Sequence, residues 1–431
     1  MVFEIEITSC EYEGNSCVNL VNQQHNHKGR HDDDDDQQHE QRLRSEHNDD
    51  CSGGGGGNDV HHDEQIIKEE VDSSEGPMTV VPVSNPNIFY DEPKFVGLKN
   101  LGNTCYANST LQALYGSNKL RQYLLNLQHP STTAGGGGGR IQFKLSKLFQ
   151  QMHQMGNKAL STNRYAVIKP EEFICEFRLI KPQFVRNEQH DAQEFLTILL
   201  ECIHQEDNKI KKNKLAKLNV EPKNAQEAWQ LHLERVDNSF YSRLFVGQSE
   251  SVLECFECKH SSLSWSSFWQ LNLHLKNDNE NGNGDRELSI QQCIQEYMAW
   301  EILNDATFCE NCQRKQKSRK RLTICRAPHY LIVHLKRFTH TGSKITRKVT
   351  INQTLEICDK KYDIYSCILH RGTETTGHYF TLVRPYYHSW LLFDDESISN
   401  DTQKEWVEHW LQNYSYICFY RAVANKVIAW N

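Results

Sequence analysis

The sequence predicts a mixed helix-and-sheet fold in which helices come first and strands second, behind a long polar tail. Three observations carry that prediction. Apolar residues recur at helical spacing between Leu111 and Leu127, and again from Asp191 to His204. From Ser266 onward the pattern changes to alternating or continuous runs of β-branched and aromatic residues, which read as strands. Two Cys-x-x-Cys pairs stand in that second half, Cys255 with Cys258 and Cys309 with Cys312.

The chain has 431 residues, a formal charge of −8 and 38% hydrophobic content. Residues 1–88 hold an aspartate run from His31 to Asp36, a glycine run from Gly53 to Gly57 and few residues able to bury surface. Such a tail cannot offset its ordering entropy and is expected to stay disordered. The ordered part is expected over residues 89–422, with a short C-terminal tail at 423–431. No window approaches an apolar membrane span and no basic leader opens the chain, so a soluble protein of the cytoplasm or nucleus is expected, without membrane contact. Lys209, Lys211, Lys212, Lys214 and Lys217 follow the second helix, but no stacking aromatics are interleaved. A solvated loop or helix face is expected there, not a nucleic-acid site. The glycines from Gly135 to Gly139 and the stretch Asn277 to Gly284 read as exposed loops.

The first element surrounds a cysteine. In G-L-K-N-L-G-N-T-C-Y-A-N-S-T-L-Q-A-L, from Gly97 to Leu114, Cys105 stands just before the apolar periodicity, not inside it. A thiol is only a few per cent ionised at neutral pH unless a helix N-terminus or a nearby imidazolium favours the thiolate. Here Gly102 permits an unusual turn, Asn103 or Thr104 can cap, and the helix that follows points its positive end at the sulfur. Asn100 has a side-chain amide that could serve an oxyanion beside the Cys105 N–H, or could brace the loop. At the second helix Asp191 stands where an N-cap or first-turn acid is expected.

The strands supply a histidine. Pairing His378 to Val383 with Ser389 to Asp394 leaves a five-residue loop, Arg384 to His388, and sets His378 opposite Asp394. Phe380 then faces Leu392 and Leu382 faces Trp390 on one apolar side. A one-residue slip would bring Asp395 opposite instead, so Asp394 is the first choice for the acid that orients His378 and Asp395 the second.

The cysteine pairs are separated by 309 − 258 = 51 positions. Each pair can present two thiolates from one turn, and two pairs complete a tetrahedral all-sulfur zinc site with no open position, which is a structural site and not a catalytic one. Fifteen cysteines in a chain of this length are too sparse for a secreted disulfide scaffold. Cys293 and Cys325 lack the spacing and read as filler.

Together these stretches resemble the signature boxes of the ubiquitin-specific proteases. The resemblance rests on the Cys105 stretch, N-E-Q-H-D-A-Q-E-F-L at Asn187 to Leu196, H-L-K-R-F at His334 to Phe338, G-H-Y at Gly377 to Tyr379 with W-L-L-F-D-D after it, and both cysteine knuckles. It covers about Phe89 to Ala422 and implies a papain-like α+β fold. A thumb (about 95–235) would carry Cys105, zinc-braced β fingers would span about 245–325, and a palm (about 328–422) would carry His378 and Asp394. By similarity Asn100 is the oxyanion residue, Asp191 binds an arginine in the tail of ubiquitin, and Gly377 and Tyr379 line a channel for its terminal glycine pair. The implied activity is hydrolysis of the isopeptide bond after that glycine by a monomer whose partners are ubiquitin and ubiquitinated proteins, with no cofactor for catalysis. The rivals are an inactive zinc-stapled ubiquitin-binding scaffold and a peptidase for another ubiquitin-like modifier. The spacing is most similar to the subgroup of types 2 and 21, although Asp394 stands where that subgroup often has asparagine.

Overall fold

The computed structural model describes residues 95–127, 140–162, 166–210, 221–275, 288–339, 341–385, 389–400 and 403–423. The tail expected at 1–88, both expected glycine-bearing loops and the residues after 423 lie outside the described residues, as does the lysine cluster from 211 onward.

A helical lobe comes first. Strand β1 (Gly97–Leu98) leads into α1 (Cys105–Tyr115) and α2 (Asn118–Leu125), and then come α3 (Arg140–Thr162), β2 (Val167–Ile168), α4 (Glu171–Ile180), α5 (Ala192–Asp207), α6 (Ala225–Arg235) and α7 (Phe240–Phe245). The apolar pattern read as one helix over Leu111 to Leu127 is broken at Gly116. A Cβ there would lie 3.0 Å from Val383 Cγ1, so the glycine lets the turn between α1 and α2 sit against the sheet. All eleven residues of α1 are buried. It is the central helix of the fold, with Leu111 and Leu114 in the same core as Phe195 and Leu199 of α5.

The finger sheet pairs β3 (Gly247–Cys255) with β4 (Ser261–Phe268), and, after β5 (Leu271–His274), β6 (Leu288–Ser289) and α8 (Ile290–Tyr297), adds β7 (Glu301–Ile302) and β10 (Ser318–Arg326) in the order β4-β3-β10-β7. A small hairpin, β8 (Thr307–Cys309) with β9 (Arg314–Gln316), carries the second cysteine pair. Within the span 245–325, strand β5 pairs elsewhere. Residues 271–274 leave the finger and pair in parallel with the palm strand β11 (Tyr330–Lys336), because Leu271 and Leu273 alternate toward a core that only the palm offers.

The palm continues with β12 (Val349–Thr350), β13 (Thr354–Ile357), β14 (Lys360–Gly372), β15 (Gly377–Val383), β16 (Leu391–Asp394), β17 (Ser397–Ser399), α9 (Lys404–Tyr414) and β18 (Ser415–Ala422). Its main sheet runs β17-β16-β15-β14-β18-β11-β5, with β13 against β14. Both faces are covered, and the period of two shows it. Tyr330 and Ile332 of β11 join the core shared with the helical lobe, while Leu331, Val333 and Leu335 join a second core with α8 and α9. The H-L-K-R-F stretch ends in a fully buried Arg337, whose guanidinium donates to the carbonyls of Ser415 at 2.6 Å, Ile345 at 3.0 Å and Arg347 at 2.9 Å. It ties the end of β11 to the last strand and to the loop that follows.

Candidate active site

Cys105 is the first residue of α1 and is 6% exposed. The turn before it needs its particular residues. Gly102 has φ +94 and Asn103 φ 53, so the chain passes twice through left-handed space, where glycine and asparagine are tolerated. Thr104 is the N-cap but makes no side-chain cap bond. Asn100 holds the loop before the helix instead, its Oδ1 accepting from the N–H of Gly102 at 3.0 Å and of Thr104 at 3.1 Å. Asn100 thus braces the loop, and its Nδ2 also donates to Asp395 Oδ2 at 2.8 Å.

His378 lies on β15, and its Nε2 meets Asp394 Oδ1 at 2.5 Å. The Cys105 thiol is near enough to act on the same ring. With Nε2 taken by the carboxylate, Nδ1 is the nitrogen left for the sulfur. The hydrogen bond to Asp394, then the Cys105 thiol, raises the imidazole to about 10 against the opposing effect of burial. The ring therefore carries its proton across the neutral range.

The hairpin register differs from the sequence expectation by two residues. Thr381 faces Phe393, Leu382 faces Leu392 and Val383 faces Leu391, so the loop spans 384–390. A shift of two preserves every face. Asp394 therefore stays on the His378 side but reaches it diagonally. Trp390 stands in the loop and not in the ladder, with the Arg384 guanidinium 5.4 Å from its ring centre.

Asp395 is not a spare copy of Asp394. It has φ 49 in the two-residue turn between β16 and β17, its Oδ1 accepts from Asn108 Nδ2 at 2.8 Å, and its Oδ2 accepts from Asn100. Its backbone oxygen accepts from Leu98 N at 2.9 Å, and the neighbouring Glu396 carboxylate accepts from Asn100 N at 3.0 Å. Burial raises the Asp395 carboxyl while the two asparagine amides oppose that. This turn straps the nucleophile loop to the sheet that carries His378.

Asp191 caps α5 with Oδ1, accepting from Gln193 N at 2.6 Å and Glu194 N at 3.2 Å, and its Oδ2 accepts from Tyr416 Oη at 2.6 Å. Tyr379 is buried beside Tyr416, with ring centres 6.0 Å apart, and burial followed by the charge of Asp191 raises both phenols. The Gly377 N–H donates to Gln189 Oε1 at 3.0 Å. Away from this cleft, the sulfurs of Cys255, Cys258, Cys309 and Cys312 all lie within 4.8 Å of one another, a group that could hold a metal ion. The two knuckles repeat one geometry, since the residues just after them, Lys259 and Gln313, both have positive φ, at 60 and 54.

The family model described as ubiquitin carboxyl-terminal hydrolase matches residues 96–420. The chain belongs to that family.

Similar members include ubiquitin carboxyl-terminal hydrolase 2 of Bos taurus, 31% identical over 70% of this chain and 52% of the relative, and its Homo sapiens counterpart, 29% identical over 70% and 52%. Ubiquitin carboxyl-terminal hydrolase 21 of Mus musculus is 27% identical over 82% of this chain and 68% of the relative. The chain spans about half the length of the type 2 relatives it matches. Among solved structures, the SAGA DUB module of Ubp8, Sgf11, Sus1 and Sgf73 bound to monoubiquitin has a chain of like fold, at TM-score 0.58 and 22% identity, covering 77% of this chain and 70% of its own. The mixed helix-and-sheet hydrolase fold expected from the sequence is therefore the one observed.

Sequence reading passed over several residues of this site. Asn108 sits three positions after Cys105, one helical turn along, and that spacing could have flagged it. Gln189 lies inside a quoted motif without distinctive chemistry. Tyr416 gives no signal at all, because it reaches Asp191 from a strand 225 positions away.

Proposed function

We propose that this chain is a deubiquitinating thiol peptidase that hydrolyses the isopeptide bond after the C-terminal glycine of ubiquitin on proteins or chains. The observation that carries the reading is the His378 ring, held at 2.5 Å by Asp394 and influenced by a cysteine at the head of a buried helix. Its proton favours a Cys105 thiolate, which attacks the glycine carbonyl. The first N–H groups of α1, which have no partner within the helix, and the second Nδ2 hydrogen of Asn100 would meet the oxyanion. His378 then gives its proton to the departing lysine amine, and water releases the thioester. Asp394 keeps the ring oriented.

Specificity would come from the two sides of the cleft. Gly377 and the buried Tyr379 leave room for a glycine pair alone, and Asp191, already fixed by three donors, offers its charge to an arginine of the incoming tail. Ubp8 is a relative in fold captured with monoubiquitin, which supports the same partner here. The four cysteines suit a structural zinc ion, because a tetrahedral site with bonds of about 2.3 Å needs sulfurs about 3.8 Å apart. Cys258 and Cys309 stand at 3.5 Å. Such an ion would staple the fingers and take no part in the reaction.

The test is mass spectrometry after incubation with ubiquitin bearing a C-terminal electrophile. One adduct, on Cys105 and absent from Cys105→Ala, is the expected result. Wild-type protein that is folded and metal-loaded yet unlabelled would overturn the reading, and probes built on other ubiquitin-like modifiers would then identify the tail.

A further inference from the structure

The Gly372–Gly377 turn is the least secured part of the cleft by its own chemistry. It joins β14 to β15, closes on a pair of glycines facing each other, and is held by threonine contacts within itself, such as Thr373 N to Thr376 O at 2.8 Å, and by the Gly377 N–H bond to Gln189. Gly372 has φ +127, a conformation that favours glycine. A glycine-closed tip sets its own position weakly. Yet His378 is the very next residue, and its ring must meet both Asp394 and Cys105.

Besides Gln189 at the Gly377 end, a side chain from outside the hairpin holds the Gly372 end. Lys344, in the loop after β11, places Nζ 2.9 Å from His370 Nδ1, 2.9 Å from the His370 carbonyl and 3.0 Å from the Gly372 carbonyl. Three acceptors match the three donors of an ammonium. Because an ammonium can only donate, Nδ1 of His370 is the acceptor and its proton sits on Nε2. That nitrogen is pressed against the turn, since a Cβ on Gly377 would lie 2.1 Å from it. The His370 ring is also packed against Phe338 at 5.4 Å and Tyr379 at 4.6 Å between centres. Burial, Lys344 and His378 hold His370 down to about 3, so it is neutral and able to accept. Burial and Arg337 bring Lys344 to about 8, which leaves it protonated at neutral pH.

We propose that Lys344 is a positioning residue for the cysteine–histidine pair: its ammonium clips the Gly372–Gly377 turn to the end of β14 and sets the His370 tautomer, and thereby fixes where Gly377 and His378 stand. The proposal rests on the reading of Cys105 and His378 as the reacting pair. Lys344 touches neither of them. Its effect passes through His370 and the turn.

The test compares Lys344→Met and Lys344→Arg with the full-length wild-type chain. Three readouts are needed: kcat and KM on a fluorogenic ubiquitin C-terminal amide, the rate at which iodoacetamide alkylates Cys105 without ubiquitin, and thermal unfolding. Misplacing a catalytic group by about an ångström costs up to ~100-fold, so Lys344→Met is expected to lose about 10- to 100-fold in kcat with KM within about twofold. Alkylation near pH 7 should slow by at least about threefold, because a displaced His378 no longer supports the thiolate. Lys344→Arg keeps the charge but cannot bring its planar fork onto three converging acceptors, so its kcat should fall in between. A merely structural lysine would lower the unfolding temperature and leave alkylation and kcat of the folded protein as they were, which overturns the proposal. Should Lys344→Met not fold, Lys344→Arg decides alone: intermediate kcat at unchanged KM supports the proposal and wild-type kinetics defeats it. If the wild-type chain cleaves no ubiquitin substrate, the function fails separately, while the alkylation comparison still judges Lys344.

Discussion

Changing Asp394 to asparagine removes the charge beside His378 while keeping an oxygen of the same size at the same place. The imidazole stands at about 10, and the bond to Asp394 is the largest cause. Taken at face value, the distance from an ordinary 6.5 corresponds to about 5 kcal/mol at ~1.36 kcal/mol per pH unit. The His378 and Asp394 side chains are 36% and 49% exposed, so solvent screening cuts the share of the pair to about 1–2 kcal/mol. The effect on rate is larger than that figure implies, because an amide can turn its NH₂ toward Nε2 and reverse the tautomer. Loss of the general acid–base function costs about 10²- to 10⁴-fold, and kcat is expected to fall within that range. Since the folded value is raised, the stability that the charged ring contributes is fully present below about 6.5 and lost as pH rises through about 10. In Asp394→Asn that loss should occur at lower pH, and the alkaline limb of kcat/KM should move down with it. The assay is the pH dependence of fluorogenic ubiquitin-amide hydrolysis between about pH 5 and 10, with unfolding followed over the same range. A variant within about threefold of wild-type kcat and with an unmoved alkaline limb would refute the assignment of Asp394 as the acid that holds the ring.

Three further outcomes are expected. Cys309→Ser should abolish binding of one zinc equivalent, measured by a colorimetric chelator after unfolding, and should lower stability by at least about 2 kcal/mol through loss of the finger staple. Asp191→Ala should lose about 1 kcal/mol of capping in denaturant titrations. It should also raise KM for ubiquitin substrates by about tenfold or more, the cost of one charged hydrogen bond, with a smaller change in kcat. Gly377→Ala drives a methyl group to 2.1 Å from His370 Nε2, so kcat/KM should fall at least about tenfold while overpacking costs about 1–3 kcal/mol on unfolding.

The sequence carried the parts of this protein that depend on neighbours along the chain. Cys105 at the start of a helix, Asp191 as a cap, the alternation of β11 and β15 and the two cysteine knuckles are all local patterns, with periods of a few residues, and each appears where its pattern placed it. The face of Asp394 was legible for the same reason, because parity survives a shift of two. The register itself was not, since a pairing shifted by two, with Trp390 in the loop, keeps the same faces. Nor could local pattern say that Leu271–His274 would desert the fingers for the palm, that Asn100 and Asn108 would share the Asp395 carboxylate across nearly 300 positions, or that Tyr416 and Lys344 would reach the cleft from distant segments. Those contacts join residues whose separation in sequence carries no information about their separation in space. Only closing the helical lobe onto the sheet brings them within hydrogen-bond distance, where burial makes an unpaired amide, carboxylate or ammonium costly enough that each finds a partner.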